Sequence, residues 1–183
     1  MRSRPSFRSI GFGFAIAGAA WAAFAAAPAS KVLRLGDATI AIAWDQTWVE
    51  GAPGADVPQN AGGFHAPDPL HMSVMLTAHA PPGTEGIDEA MRTMVEANAK
   101  ETLSSAVETD LPVEAFKNGD THGYQFCATD KAPKPDEWKY ICQGMASVGS
   151  WVVGYTVLYN DPGKATAMKA VKALQAMQAS TGA

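Results

Sequence analysis

Two cysteines, Cys127 and Cys142, are all that this 183-residue chain contains, and positive charge is almost as scarce, with 14 Lys and Arg against 18 Asp and Glu. The shortage of bases excludes a nucleic-acid binder, which needs a basic footprint to displace phosphate counterions. It also leaves little to hold the chain on an anionic membrane surface. Two thiols so far from a C-x-x-C spacing offer neither a dithiol redox motif nor enough ligands for a thiolate metal site. No nucleophile elbow G-x-S-x-G and no phosphate-binding G-x-x-x-x-G-K-[ST] occur, and Gly11-Phe12-Gly13 is not followed by the rest of a dinucleotide fingerprint. The acids are dispersed and give no paired carboxylates for glycoside chemistry. Asp120-Thr121-His122 sits beside a tight turn, where an Asx turn accounts for it, and it lacks a nucleophile; Ser150 in Gly149-Ser150-Trp151 belongs to a turn as well.

Long apolar runs are missing after the first two dozen residues. At the start, Arg2, Arg4 and Arg8 precede an apolar stretch from Ile10 to Phe24, and no acid occurs before Asp37. Small residues come next, with Ala23-Phe24-Ala25 as one A-x-A site and Ala25-Ala26-Ala27 or Ala27-Pro28-Ala29 as alternatives. This is the pattern of a cleavable export signal over residues 1–29, with an uncleaved N-terminal anchor as the rival reading. Ser3 separates Arg2 from Arg4, so the twin-arginine pattern is absent. Loss of those three arginines leaves 11 bases against 18 acids, a net charge of −7. Residues 30–183 are read as a single domain, periplasmic or secreted, with no membrane span after signal cleavage.

Export places Cys127 and Cys142 where thiols pair. Tyr124 to Ala128 and Trp138 to Cys142 read as strands, joined by a connection that holds Pro133 and Pro135. In an antiparallel hairpin, partners have a constant index sum. The sum that pairs the cysteines centres the turn between Lys134 and Pro135, and also sets Tyr124 against Met145 and Ala128 against Ile141. A disulfide closing this loop contributes about 3 kcal/mol in the chain-entropy model.

Elsewhere Val32–Leu35 and Ala38–Trp44 read as strands split by Gly36-Asp37, with Ile40, Ile42 and Trp44 on one face. Residues 50–70 hold four glycines and four prolines and read as a long irregular loop. From His71 to His79, Met72, Val74, Leu76 and Ala78 alternate with outward residues. A helix is expected from Gly86 towards Ser104, with Thr84 as N-cap, Glu85, Asp88 and Glu89 near its positive end, and an inward stripe of Ile87, Met91, Met94 and Val95. Leu111–Lys117 is a short strand before the Asn118-Gly119 turn. Trp151–Tyr159 is apolar on both faces and belongs at the centre of a sheet. Asp161 is the expected cap of a last helix with Pro162 at its first position and Met168, Val171, Leu174 and Met177 inward.

The order, strands, loop, strand, helix, four-stranded meander, helix, defines an α+β fold: an antiparallel sheet with helices packed on it. The Ile40-x-Ile42-x-Trp44-x-x-x-Trp48 segment, the Gly86–Ser104 helix, the Val113–Tyr159 meander and the helix from Pro162 resemble the PsbP-like superfamily of α/β/α sandwiches, which includes small bacterial periplasmic members. That resemblance implies an accessory or binding role and supplies no catalytic residue.

The expectation is therefore a non-catalytic exported module without a cofactor, which binds a protein partner or small ligand near the 50–70 loop. Trp48, Phe64, His65, Trp138 and Tyr140 are the candidate surface. A copper site using His65, His71, Met72 and Met75 is one alternative, since imidazole and thioether suit that metal. An acidic inhibitor or immunity-type protein is another, fitting size, charge and export.

Overall fold

The computed structural model describes residues 29–51, 58–67, 72–81, 83 and 85–180. The expected export signal lies outside these residues except for Ala29, as do His71 and the expected N-cap Thr84. Chain order runs β1 (Ser30–Leu35), β2 (Ala38–Ala43), β3 (Val49–Gly51), β4 (Ala61–Ala66), β5 (Met72–His79), α1 (Ile87–Thr102), β6 (Glu114–Asn118), β7 (Thr121–Thr129), β8 (Tyr140–Val148) and β9 (Trp151–Tyr159). A 3-10 turn (Asp161–Gly163), α2 (Lys164–Gln175) and the short β10 (Gln178–Ala179) complete it. The fold is α+β. Seven strands form one antiparallel sheet in the order β3-β4-β5-β9-β8-β7-β6, and β1, β2 and β10 form a second, small one.

The position of β9 reflects its composition. It lies fourth of seven, between β5 and β8, and both its faces carry apolar side chains. Val153, Tyr155, Val157 and Tyr159 enter the main core with Val74 and Leu76 of β5, Ile40 and Ile42 of β2, and Ala170 and Leu174 of α2. Burying a side chain the size of Leu174 contributes about 1.5–3 kcal/mol. A smaller cluster on the other face joins Val95 and Ala99 of α1 to Phe126 and Ala128 of β7, with Ala106 and Leu111 from the connection between them. Glu108 ties that connection to the sheet: its carboxylate accepts the Thr129 N–H at 2.9 Å and hydroxyl at 2.7 Å.

The disulfide joins Cys127 to Cys142. The ladder also sets Tyr124 against Met145 and Ala128 against Ile141, the register that the cysteine pairing implies. Cys142 is fully buried in the main core while Cys127 faces solvent. Beside them, Gln125, Gly144 and Tyr155 form a row across β7, β8 and β9. A Cβ on Gly144 would fall 2.4 Å from the Tyr155 hydroxyl. Glycine is therefore what lets the phenol cross β8 and donate to Gln125 Oε1 at 3.0 Å.

Several expectations need correction. The 50–70 segment is not wholly loop, because β3 and β4 lie within it. The Ala-Gly-Gly run of β4 carries no apolar alternation, yet a Cβ on Gly63 would fall 2.2 Å from the Val74 carbonyl oxygen, so close strand approach selects glycine there. The buried stripe of α1 is Met91, Val95 and Ala99, and Met94 is 53% exposed. Asp161 does not cap α2. Its carboxylate accepts from Lys139 Nζ at 2.8 Å and from the Tyr140 hydroxyl at 2.6 Å, and α2 starts three residues later. Trp138 precedes β8 and is half-buried. Strand β10 is too short to leave a pattern.

Candidate binding groove

The two faces of the seven-stranded sheet are covered unequally. The small sheet and α2 lie on one. On the other, α1 packs mainly on β7 and β8, so the outward residues of β3, β4 and β5 remain open. Alternation places Val49, His65, Met75 and His79 there, with Val49 48% and Met75 53% exposed. Strand pairing sets His65 beside Ser73, Met75 beside Thr156 and His79 beside Val152, which makes these side chains neighbours on one surface.

A recess of about 340 Å³ runs between the start of α1 and this surface, lined by Met91 and Met94 from the helix, Met145 from β8, Val152 from β9 and His79 from the end of β5. A second, of about 490 Å³, is lined by Asn98, Glu101 and Thr102 further along α1, with Ser104, Ser105 and Gln143. The two adjoin. Met91, Met94, Asn98, Glu101 and Thr102 recur at three- and four-residue spacing and so share one helix flank. Met145 and Gln143 are two apart on one face of β8. From Met91 to Thr102, the last residue of α1, the flank extends about 17 Å at 1.5 Å per residue. It grades from thioethers at one end to amides, a carboxylate and hydroxyls at the other.

The chemistry this offers is recognition. Three methionines make an adaptable apolar lining. The hydroxyls are committed to the helix end: Ser104 donates to the Glu101 carbonyl at 3.1 Å and Ser105 to that of Thr102 at 3.0 Å. Gln143 donates to the Thr156 hydroxyl at 3.3 Å. His122 lies elsewhere on β7, with Nε2 2.9 Å from Asp88 Oδ1 of α1. It does not work with its sequence neighbour Thr121, which is buried on the opposite face and donates to the Met177 carbonyl.

The residues expected to form a surface fall in three places. Trp48 and Phe64 are 5% and 1% exposed, stacked on each other at 4.8 Å within the main core. Tyr140 stacks on Tyr159 at 4.9 Å near Asp161, and Trp138 lies in the preceding connection. His65 alone reaches the open face. Of the copper set, Met72 is buried on the covered face while His65 and Met75 point the other way, and His71 is outside the described residues. Among the described residues no group of three or more His, Cys, Asp or Glu gathers in a way that could hold a metal. The sequence reading missed the meeting of His79 with Met91, Met94 and Met145. The outward turn of His79 was a usable signal; the docking angle of α1 was not.

No family model and no curated protein matches the chain. Solved structures similar to it include the Saccharomyces cerevisiae Ran-binding protein Mog1p, with 10% identity over 82% of this chain and 95% of that one, at a TM-score of 0.49. The solution structure of cyanobacterial PsbP (CyanoP) from Synechocystis sp. PCC 6803 shares 8% identity over 77% of this chain and 86% of that one, at 0.46. A Bacteroides thetaiotaomicron VPI-5482 protein shares 13% identity over 78% of this chain, at 0.41, and the present chain spans only 45% of its length.

Proposed function

We propose that this chain is an exported, non-catalytic binding module that holds an amphipathic ligand along the flank of α1, apolar part among Met91, Met94 and Met145, polar part towards Asn98, Glu101 and Gln143. The observation that carries the reading is the graded groove beside an uncovered half-sheet, in which the serine hydroxyls are already bonded to helix carbonyls. A methionine lining suits ligands that vary in shape. The disulfide supports an oxidising compartment, and no described helix is long and apolar enough to cross a membrane. His65 of β4, expected as part of the binding surface, lies on the same open face of the sheet but does not line this groove.

Titration with a neutral amphiphile tests the proposal. Octyl glucoside below its micelle concentration should shift the methyl resonances of Met91, Met94 and Met145 together and leave Met72 and Met177, both buried on the covered face, unmoved. Met94→Glu should abolish the shifts without changing the melting temperature. Equal movement of all five methyls, or none at the three groove positions, overturns the reading.

A further inference from the structure

A third recess, separate from that groove, opens on the opposite side of the molecule where the chain leaving β2 passes the last turns of α2. Its volume is about 380 Å³, within the range of small-molecule sites, and Trp44, Asp45, Trp48, Lys169 and Lys172 line it over Ala173. The indoles meet edge to face, with ring centroids 5.7 Å apart and planes at 78°.

One atom here is unexplained by folding alone. Trp48 is 5% exposed, and its Nε1–H is buried with no hydrogen-bond partner among the described residues. An indole nitrogen only donates, so the group it lacks is an acceptor, and buried donors are rarely left without one. The charges around it point to the same chemistry. In a chain with more acids than bases, two lysines one helical turn apart face this recess. Lys169 Nζ lies 3.5 Å from Asp45 Oδ2. Asp45 already accepts the Thr47 N–H at 2.9 Å and hydroxyl at 2.7 Å, and those bonds, with the lysine, hold its carboxyl below the usual range. Lys172 has no carboxylate within ion-pairing distance among the described residues. A lysine in the last turn of α2 also offsets the helix dipole, which accounts for its charge but not for the orphaned indole N–H.

We propose that this recess binds a small aromatic carboxylate: the ring lies against Trp44, and the carboxylate is the acceptor that the Trp48 N–H lacks, neutralised by Lys172. An apolar wall, an unmatched donor and a cation with no carboxylate partner among the described residues together select a flat anion over a neutral or cationic ligand of the same shape.

The probes are 2-naphthoate and 2-naphthamide, titrated into the whole chain and read at the indole N–H resonances. The Trp48 N–H should move downfield with naphthoate, and naphthoate should bind up to about fivefold more tightly than the amide, the size of one partly exposed ion pair. Lys172→Gln, on the helix surface, should remove that preference and leave amide binding unchanged, and salt should weaken only naphthoate. Trp48→Phe keeps a ring to pack on Phe64 and loses the donor, and should lower naphthoate affinity in the Lys172→Gln background too. Equal affinity for the two probes, or a Trp48 N–H unmoved at saturation, overturns the proposal.

Discussion

The two faces of the seven-stranded sheet do different work, though the same strands make both. On the face beneath α2 and the small sheet, the inward positions of β5 and those of β9 from Val153 to Tyr159 are at most 5% exposed, and only Trp151 at the start of β9 is partly buried. On the other, α1 shields one half and leaves the rest to solvent. Neighbouring residues of one strand therefore live under opposite constraints. The buried member fixes the fold, and the open one is free to serve recognition. A sheet covered on both faces would be sturdier and would have nothing to offer a ligand.

The largest expected effect tests the covered face. Val74 is 1% exposed, and Val74→Asp would bury an unpaired charge, so we expect a loss of about 4 kcal/mol or more and an unfolded chain by circular dichroism. Removing the disulfide through a Cys127→Ser, Cys142→Ala double substitution should cost about 3 kcal/mol in urea titrations. Mass spectrometry after alkylation should find no free thiol until a reductant is added.

Tyr155→Phe should cost about 1–2 kcal/mol, because it leaves the buried Gln125 oxygen without its donor. The same tyrosine carries an alkaline limb. Burial pushes its phenol well above the ordinary 10.0. Below pH 10 folded and unfolded states both keep the proton, and above it the unfolded chain alone releases it, so stability falls as pH rises past 10. In Tyr155→Phe that decline should be shallower. Glu108 supplies a weaker acid limb. Partial burial raises its carboxyl, but the two bonds from Thr129 outweigh this and hold it below the ordinary 4.5. Its contribution is present above that pH and fades as pH falls below it; Glu108→Gln should flatten the acid side and cost about 1 kcal/mol at pH 7. The smallest change falls on Met75, one residue from Val74. Met75→Asp should move stability by no more than about 0.5 kcal/mol, and an effect as large as that of Val74→Asp would remove the contrast between the faces.

Where sequence alone succeeded, a covalent or compositional constraint left one solution. Pairing Cys127 with Cys142 fixes the β7–β8 register to the residue, and a strand as apolar as Trp151–Tyr159 has nowhere to go but the middle. It failed where side chains were small. Ala61, Gly62 and Gly63 have no alternation to read, and at Gly63 it is the approach of the Val74 carbonyl rather than burial that selects glycine. Aromatic residues misled for the opposite reason: Trp48 and Phe64 are large enough to be anchors in a core or on a surface, and only the position of the small sheet decides between the two. The groove escaped notice because it joins the end of β5, the flank of α1 and the middle of β8, three segments whose meeting depends on how the helix docks.

Both borders of the large sheet also carry a consequence. At one side stands β3, three residues with Glu50 among them; at the other stands β6, five residues bearing Glu114 and Lys117. Strands so brief and so charged are poor templates for a visiting backbone. Strand addition from a second chain is thereby discouraged at either margin, and whatever associates with this molecule must read its side chains.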